Sequence, residues 1–259
     1  MSFVVQNALS AIALAVGMLA MIALGRRNGI RRVAADPVHA RAGLGVIDAS
    51  VFALLGLVLA FTFNGAGERF AARRAHMGDE LQVIEGGWRK LDLLPAEEQP
   101  AMRTLFRRYV DERIAAYRAV PDRARVVAKI KAAMGTLEEI WTRSVAITAT
   151  GTGVAARVHI VPAIDRMIEM NTKSWVLMIQ HPPRIVYVVM AVLMLLTALF
   201  VGEGMAEASR PSVPHVVGLV VILSGLYFVI MDLENPMMGL IHLDTTLAAL
   251  DDLRRSFGP

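Results

Sequence analysis

Cysteine is absent from the 259-residue chain, which excludes disulfides, thiolate nucleophiles and thiolate metal sites. Strand-like alternation of apolar and polar residues is missing too, so nothing in the pattern asks for a sheet. There is no His-Glu-x-x-His pair of a zinc protease, no nucleophile-elbow glycine–serine pattern and no phosphate-cradling glycine loop. The six histidines, at 39, 76, 159, 181, 215 and 242, show no ligand spacing and suit surface or headgroup contacts. No metal site, no cofactor and no enzymatic reaction is expected. Charge is present but unevenly placed. Most of the 27 Lys and Arg and 23 Asp and Glu lie in one central block, and long stretches carry none. Basic residues beside such stretches mark topology or lipid headgroup contact rather than nucleic acid.

What is there is apolar. Hydrophobic residues make up 55% of the chain, above the 45–50% usual for soluble domains. Four runs carry the excess: Phe3 to Leu24, Leu44 to Phe63 interrupted only by Asp48, Ile185 to Val201 after His181-Pro182-Pro183, and about Val216 to Met231. The first two are long enough to cross a hydrocarbon core of about 30 Å as helices. The last two are short, with Tyr187 and Tyr227 placed to anchor them at the interface. Nothing basic precedes the first run and Arg26-Arg27 follow it, the reverse of a signal peptide, so it reads as a retained span.

Between Glu68 and Gln180 apolar residues recur at helical spacing, as in Leu81, Ile84, Trp88 and Leu91, and in Leu105, Tyr109, Ile114 and Tyr117. Leu94-Pro95 and Val120-Pro121-Asp122 punctuate this pattern, and residues 150–153 (Thr-Gly-Thr-Gly) read as a loop. Four amphipathic helices are predicted, over about 66–93, 97–119, 122–147 and 155–179, the first continuing the second span. The acidic residues lie among arginines at helical intervals and suit solvated faces and i,i+4 pairs. The fold class is therefore an all-α membrane protein with four transmembrane helices and a helical extramembrane domain between spans 2 and 3. Its parts are a hairpin over 1–66, the domain over 67–181, a second hairpin over 182–231 and an amphipathic C-terminal segment over 232–259.

Val46, Ser50, Leu54, Leu57 and Phe61 share one stripe of the second span. Such a stripe suits lipid or another helix, or lines a narrow apolar pore that gates by dewetting. Ala49, Ala53, Gly56 and Ala60 form a small-residue stripe that suits close packing against a neighbouring helix. Asp48 lies within a turn of the span's end, where it reaches water or headgroups. Asp232 and Glu234 precede Pro236; local capping and solvation account for them, and a cation-assisted clasp between subunits is the alternative.

Residues 55–73 resemble the end of the second span in bestrophins, where an apolar helix closes with Phe-Arg-x-Asn, an Arg-aromatic pair and an Arg. Phe61, Asn64, Arg69, Phe70 and Arg73 fall on those positions, with Thr62 in place of the first Arg. Residues 232–244 are similar to the acidic Glu-Asn-Pro-Phe-Gly stretch after the last bestrophin span. Asp232, Glu234, Asn235 and Pro236 match it, Met237 and Met238 replace Phe-Gly, and the acidic run that helps bind calcium in animal bestrophins is missing. The Pro182-Pro183 entry to the third span also has a counterpart there. The whole chain looks closer still to the bacterial bestrophin-like domain family. The resemblance implies a homo-oligomeric ion channel, a pentamer in bestrophins, in a bacterial inner membrane. Its partners would be small inorganic ions and the lipid bilayer, with no nucleic acid, and the second span would form a hydrophobic neck. The rival reading is a non-conducting membrane scaffold or sensor.

Orientation rests on two opposed arguments. Loop one, with Arg26, Arg27, Arg31, Arg32 and Arg41 against Asp36, favours its own cytoplasmic placement and the large domain outside. The resemblance, with Arg69, Arg73, Arg74, Lys173 and Arg184, favours a cytoplasmic domain, and that placement is the one expected.

Overall fold

The computed structural model describes residues 3–36, 44–120, 122–206, 208, 212–235, 238–241 and 244–258. Those residues form helices α1 (Phe3–Ala35), α2 (Leu44–Lys90), α3 (Gln99–Arg118), α4 (Arg123–Ile147), α5 (Arg157–Ile179), α6 (Arg184–Gly204), α7 (Val213–Leu233) and α8 (Asp244–Ser256). Two short 3-10 turns join them, Leu91–Leu93 and Gly151–Ala156. No strand occurs among the described residues. Helices α1, α2, α6 and α7 are long and apolar enough to cross a membrane, and the protein is an all-α membrane protein.

The chain divides into two compact units, one of Met1–Glu68 with His181–Asn235 and one of Arg69–Gln180 with Pro236–Pro259. In the membrane unit, Leu14, Met18 and Ile22 of α1 pack with Leu55 and Leu59 of α2, Met190 and Met194 of α6, and Val220 and Ile230 of α7. Glycine sets how close α1 and α6 come. A Cβ added at Gly25 would lie 2.0 Å from the Leu199 carbonyl oxygen, and one at Gly202 would lie 2.1 Å from that of Ile22. Lipid tails provide no hydrophobic drive between helices, so backbone-to-backbone contact of this kind supplies the attraction.

The close approach also explains a departure from the sequence pattern. Helix α1 does not stop at the end of its apolar run but continues through the arginines to Ala35. Gly29 keeps the backbone against Glu203 and Ala206, and Arg32 pairs with Glu203 at 3.1 Å. Residues 26–35 of the expected loop are therefore helix.

The helical unit has a core of Ile84, Leu91, Met102, Phe106, Tyr109, Leu137, Ile140, Ile160, Ile164 and Met167, which the apolar periodicity had marked in part. Helix α4 starts where Asp122 punctuates the sequence, its side chain accepting from the Arg125 N–H at 3.1 Å. The Thr-Gly-Thr-Gly segment differs from expectation. It opens a 3-10 turn, with Gly151 at φ +64° and Gly153 so near the Ile147 carbonyl that a Cβ would lie 2.2 Å away. The C-terminal segment joins this unit: Leu250 and Phe257 are buried in its core, and Phe257 stacks on Trp88 with ring centroids 4.0 Å apart. Arg118 binds both carboxylate oxygens of Asp251 at 2.8 Å, and Arg254 reaches Asp111 at 2.8 Å.

Candidate functional site

The membrane-spanning part of α2, residues 44–63, turns Leu55, Leu59 and Thr62 toward the chain's own helices, and Ala66 just beyond it does the same. Thr62 donates to the Val58 carbonyl at 2.7 Å, so its hydroxyl is satisfied within the helix. At 100° per residue the stripe Val46, Ser50, Leu54, Leu57 and Phe61 lies on the opposite side. All five are exposed in the single chain, Val46 at 74% and Phe61 at 69%. Ser50 donates to the Val46 carbonyl at 2.8 Å and leaves an apolar surface. The small-residue stripe Ala49, Ala53, Gly56 and Ala60 finds no partner within the chain either, since all four are exposed and nothing lies within 4 Å of a Cβ built on Gly56. Leu55 and Leu59, at a different angle, make the contact that this stripe was expected to make. Asp48 is half-buried in the first turns of α2.

Further along α2 the motif residues fall on successive turns. Asn64 donates to Glu68 at 2.8 Å across one turn. Arg69 and Phe70 are half-buried. Arg73 caps the C-terminal end of α5, donating to the carbonyls of Leu177 at 3.1 Å and Gln180 at 2.8 Å. A guanidinium there satisfies carbonyls that the helix leaves open and opposes the negative end of its dipole.

At the end of α7, solvation does not describe Asp232 and Glu234, because each is only 1% exposed. Glu234 lies 3.7 Å from His181 Nδ1, and Asn235 donates back to the Met231 carbonyl at 3.0 Å. Asn7 donates to the Phe228 carbonyl at 3.1 Å one turn earlier. Pro236 lies outside the described residues. No group of three or more His, Asp or Glu side chains converges among those described.

Sequence reasoning missed the buried polar cluster of the helical unit. One Nη of Arg113 sits 2.6 Å and 2.8 Å from the two Glu80 oxygens, with both side chains under 5% exposed. Around the pair stand Asn171 at 3.4 Å and Tyr117 at 3.3 Å. Ser174 donates to Glu80 at 3.4 Å, and His76 Nε2 lies 2.7 Å from the Ser174 hydroxyl. Burial pulls the Arg113 guanidinium down, but the adjacent Glu80 carboxylate more than offsets this and holds it above its ordinary value. Burial pushes the Tyr109 and Tyr117 phenols up, and it holds His76 below its ordinary 6.5 against the opposing pull of Glu80. His76 and Glu80 are therefore neither headgroup contacts nor part of a solvated face. The signal was phase: 76, 80 and 84 share one face of α2 with core residue Ile84, and 109, 113 and 117 share the apolar face of α3.

A model of the bestrophin-like domain matches residues 11–246, from α1 into α8. The chain belongs to the bestrophin-like domain family. No curated protein and no solved structure matches it. In this bestrophin-like protein the match takes in α1 from residue 11, the whole of α2, α6 and α7, the exposed α2 stripe and the buried Asp232 and Glu234.

Proposed function

We propose that this bestrophin-like chain assembles into a homo-oligomeric channel for small inorganic ions, with α2 lining a hydrophobic neck. One observation carries the reading. Of the apolar window in α2 only 11% is buried within the chain, against 28% in α1, 33% in α6 and 22% in α7. A span that its own chain barely covers has surface left for copies of itself. Its Val46–Phe61 stripe, turned away from the chain's core, is the surface that a ring of copies would bring around a shared axis. An apolar ring narrow enough to exclude water blocks ions until it widens or wets.

The test uses purified full-length protein in planar bilayers, exploiting the cysteine-free background. Leu57→Cys and Phe61→Cys should give currents that a water-soluble thiol reagent blocks by more than about half, while Leu9→Cys on α1 gives current that the reagent leaves unchanged. A monomer in detergent and lipid, or equal block at all three positions, overturns the reading. An oligomer silent at verified incorporation favours the scaffold or sensor instead.

A further inference from the structure

Past its apolar run, α1 holds four arginines in fixed and different settings. Arg32 pairs with Glu203 at 3.1 Å, and Arg26 donates to the Ala208 carbonyl at 3.4 Å. Gly25 and Gly29 lock the same turns against the α6 backbone. Arg27 and Arg31 are exposed and have no hydrogen-bond or ion-pair partner among the described residues. At 100° per residue they point away from the glycine seam and continue the row of Val5, Leu9, Ile12 and Val16, exposed at 44–61%. Asp36, the acid on this stretch, falls on the seam side. A run of this length spans roughly one hydrocarbon thickness, so the row facing acyl chains ends in two guanidiniums at headgroup depth. One turn apart, their Cβ atoms are about 5–6 Å from each other, and the two charges repel.

We propose that Arg27 and Arg31 form a binding site for the headgroup phosphate of an anionic phospholipid. A phosphate between them relieves the repulsion and accepts charge-assisted hydrogen bonds from both forks. A headgroup of net negative charge is preferred over a zwitterionic one, because choline brings a cation into an already positive site. The rigid helix beneath makes this a positioned pair rather than a mobile basic tail, and the site stands whether or not the protein conducts.

The experiment is native mass spectrometry of the full-length protein in detergent, titrated with phosphatidylglycerol and phosphatidylcholine of equal chain length. The wild type should retain phosphatidylglycerol preferentially. Arg27→Gln with Arg31→Gln should cut that preference by about thirtyfold, each basic residue near an anionic headgroup contributing roughly fivefold. Arg27→Lys with Arg31→Lys should keep most of it. Lys129→Gln with Arg166→Gln, which removes the same charge from the helical unit, should leave it unchanged, and inorganic phosphate should not displace the lipid. Both arginines are exposed, and unaltered gel-filtration profiles would show the variants intact. Equal retention of the two lipids by the wild type overturns the proposal, as does full retention by the double glutamine variant. Equal loss in the charge control would make the effect one of overall charge, and displacement by phosphate would make the site one for free anions; either also overturns it.

Discussion

The two units are held together in opposite ways. In the membrane unit the closest contact is made of backbone, with Gly25 and Gly202 letting α1 and α6 touch, while large apolar side chains such as Ile12, Val16 and Ile222 face outward. In the helical unit large side chains such as Tyr109 and Phe106 are fully buried, and an enclosed Arg113–Glu80 pair sits beside them. Solvent decides the difference. In lipid, hiding a methyl group gains nothing and only packing counts, whereas in water each buried apolar side chain contributes about 1.5–3 kcal/mol. An ion pair is tolerable in the second setting only with hydrogen bonds around it, which Tyr117, Asn171 and Ser174 supply.

The ion pair gives the largest way to break the comparison. Arg113→Met leaves a buried carboxylate behind and should cost about 3–5 kcal/mol, lowering the thermal midpoint of the purified protein by roughly 10 °C. Arg113→Met combined with Glu80→Leu should restore most of the loss. A single variant as stable as the wild type would mean that water reaches the pair. Next comes the glycine seam. Gly202→Ala places a methyl against the Ile22 carbonyl and should cost about 1–3 kcal/mol or more, read as loss of monodisperse protein in detergent. Gly56→Ala has open space and should leave the single chain's packing unchanged, so any effect there reports on assembly. The smallest effect concerns His76. Its folded value lies below 6.5, so the unfolded chain binds more protons in the window below 6.5. Its contribution is complete above 6.5 and is lost as pH falls toward and through the depressed value. His76→Gln should flatten that part of the stability–pH curve, measured by thermal melts across pH 5 to 7.5, and an unchanged slope would remove His76 as its source.

Much of this was legible in the chain. Hydropathy marked the four spans because lipid demands long uncharged runs, and Pro-Asp punctuation found the start of α4. The Val46–Phe61 stripe was visible by periodicity, but the side of α2 that meets its own chain was not, since Leu55 and Leu59 look no different from Leu54 and Leu57. The extension of α1 hid behind arginines, which read as a loop until Gly25 and Gly29 were seen against α6. The burial of Glu234 beside His181 depends on a partner distant in sequence, which no local pattern encodes. The same holds for the packing of Phe257 on Trp88.

The α1–α6 seam also has a consequence for how the protein is made. The first span leaves the ribosome before its partner, so the glycine face of α1 lacks its α6 contact until Gly202 has been synthesised. During that interval the naked backbone face is open to any other helix in the bilayer that offers a matching groove. The Gly25–Gly202 seam therefore closes only after residues 69–180, which form the helical unit, have been translated.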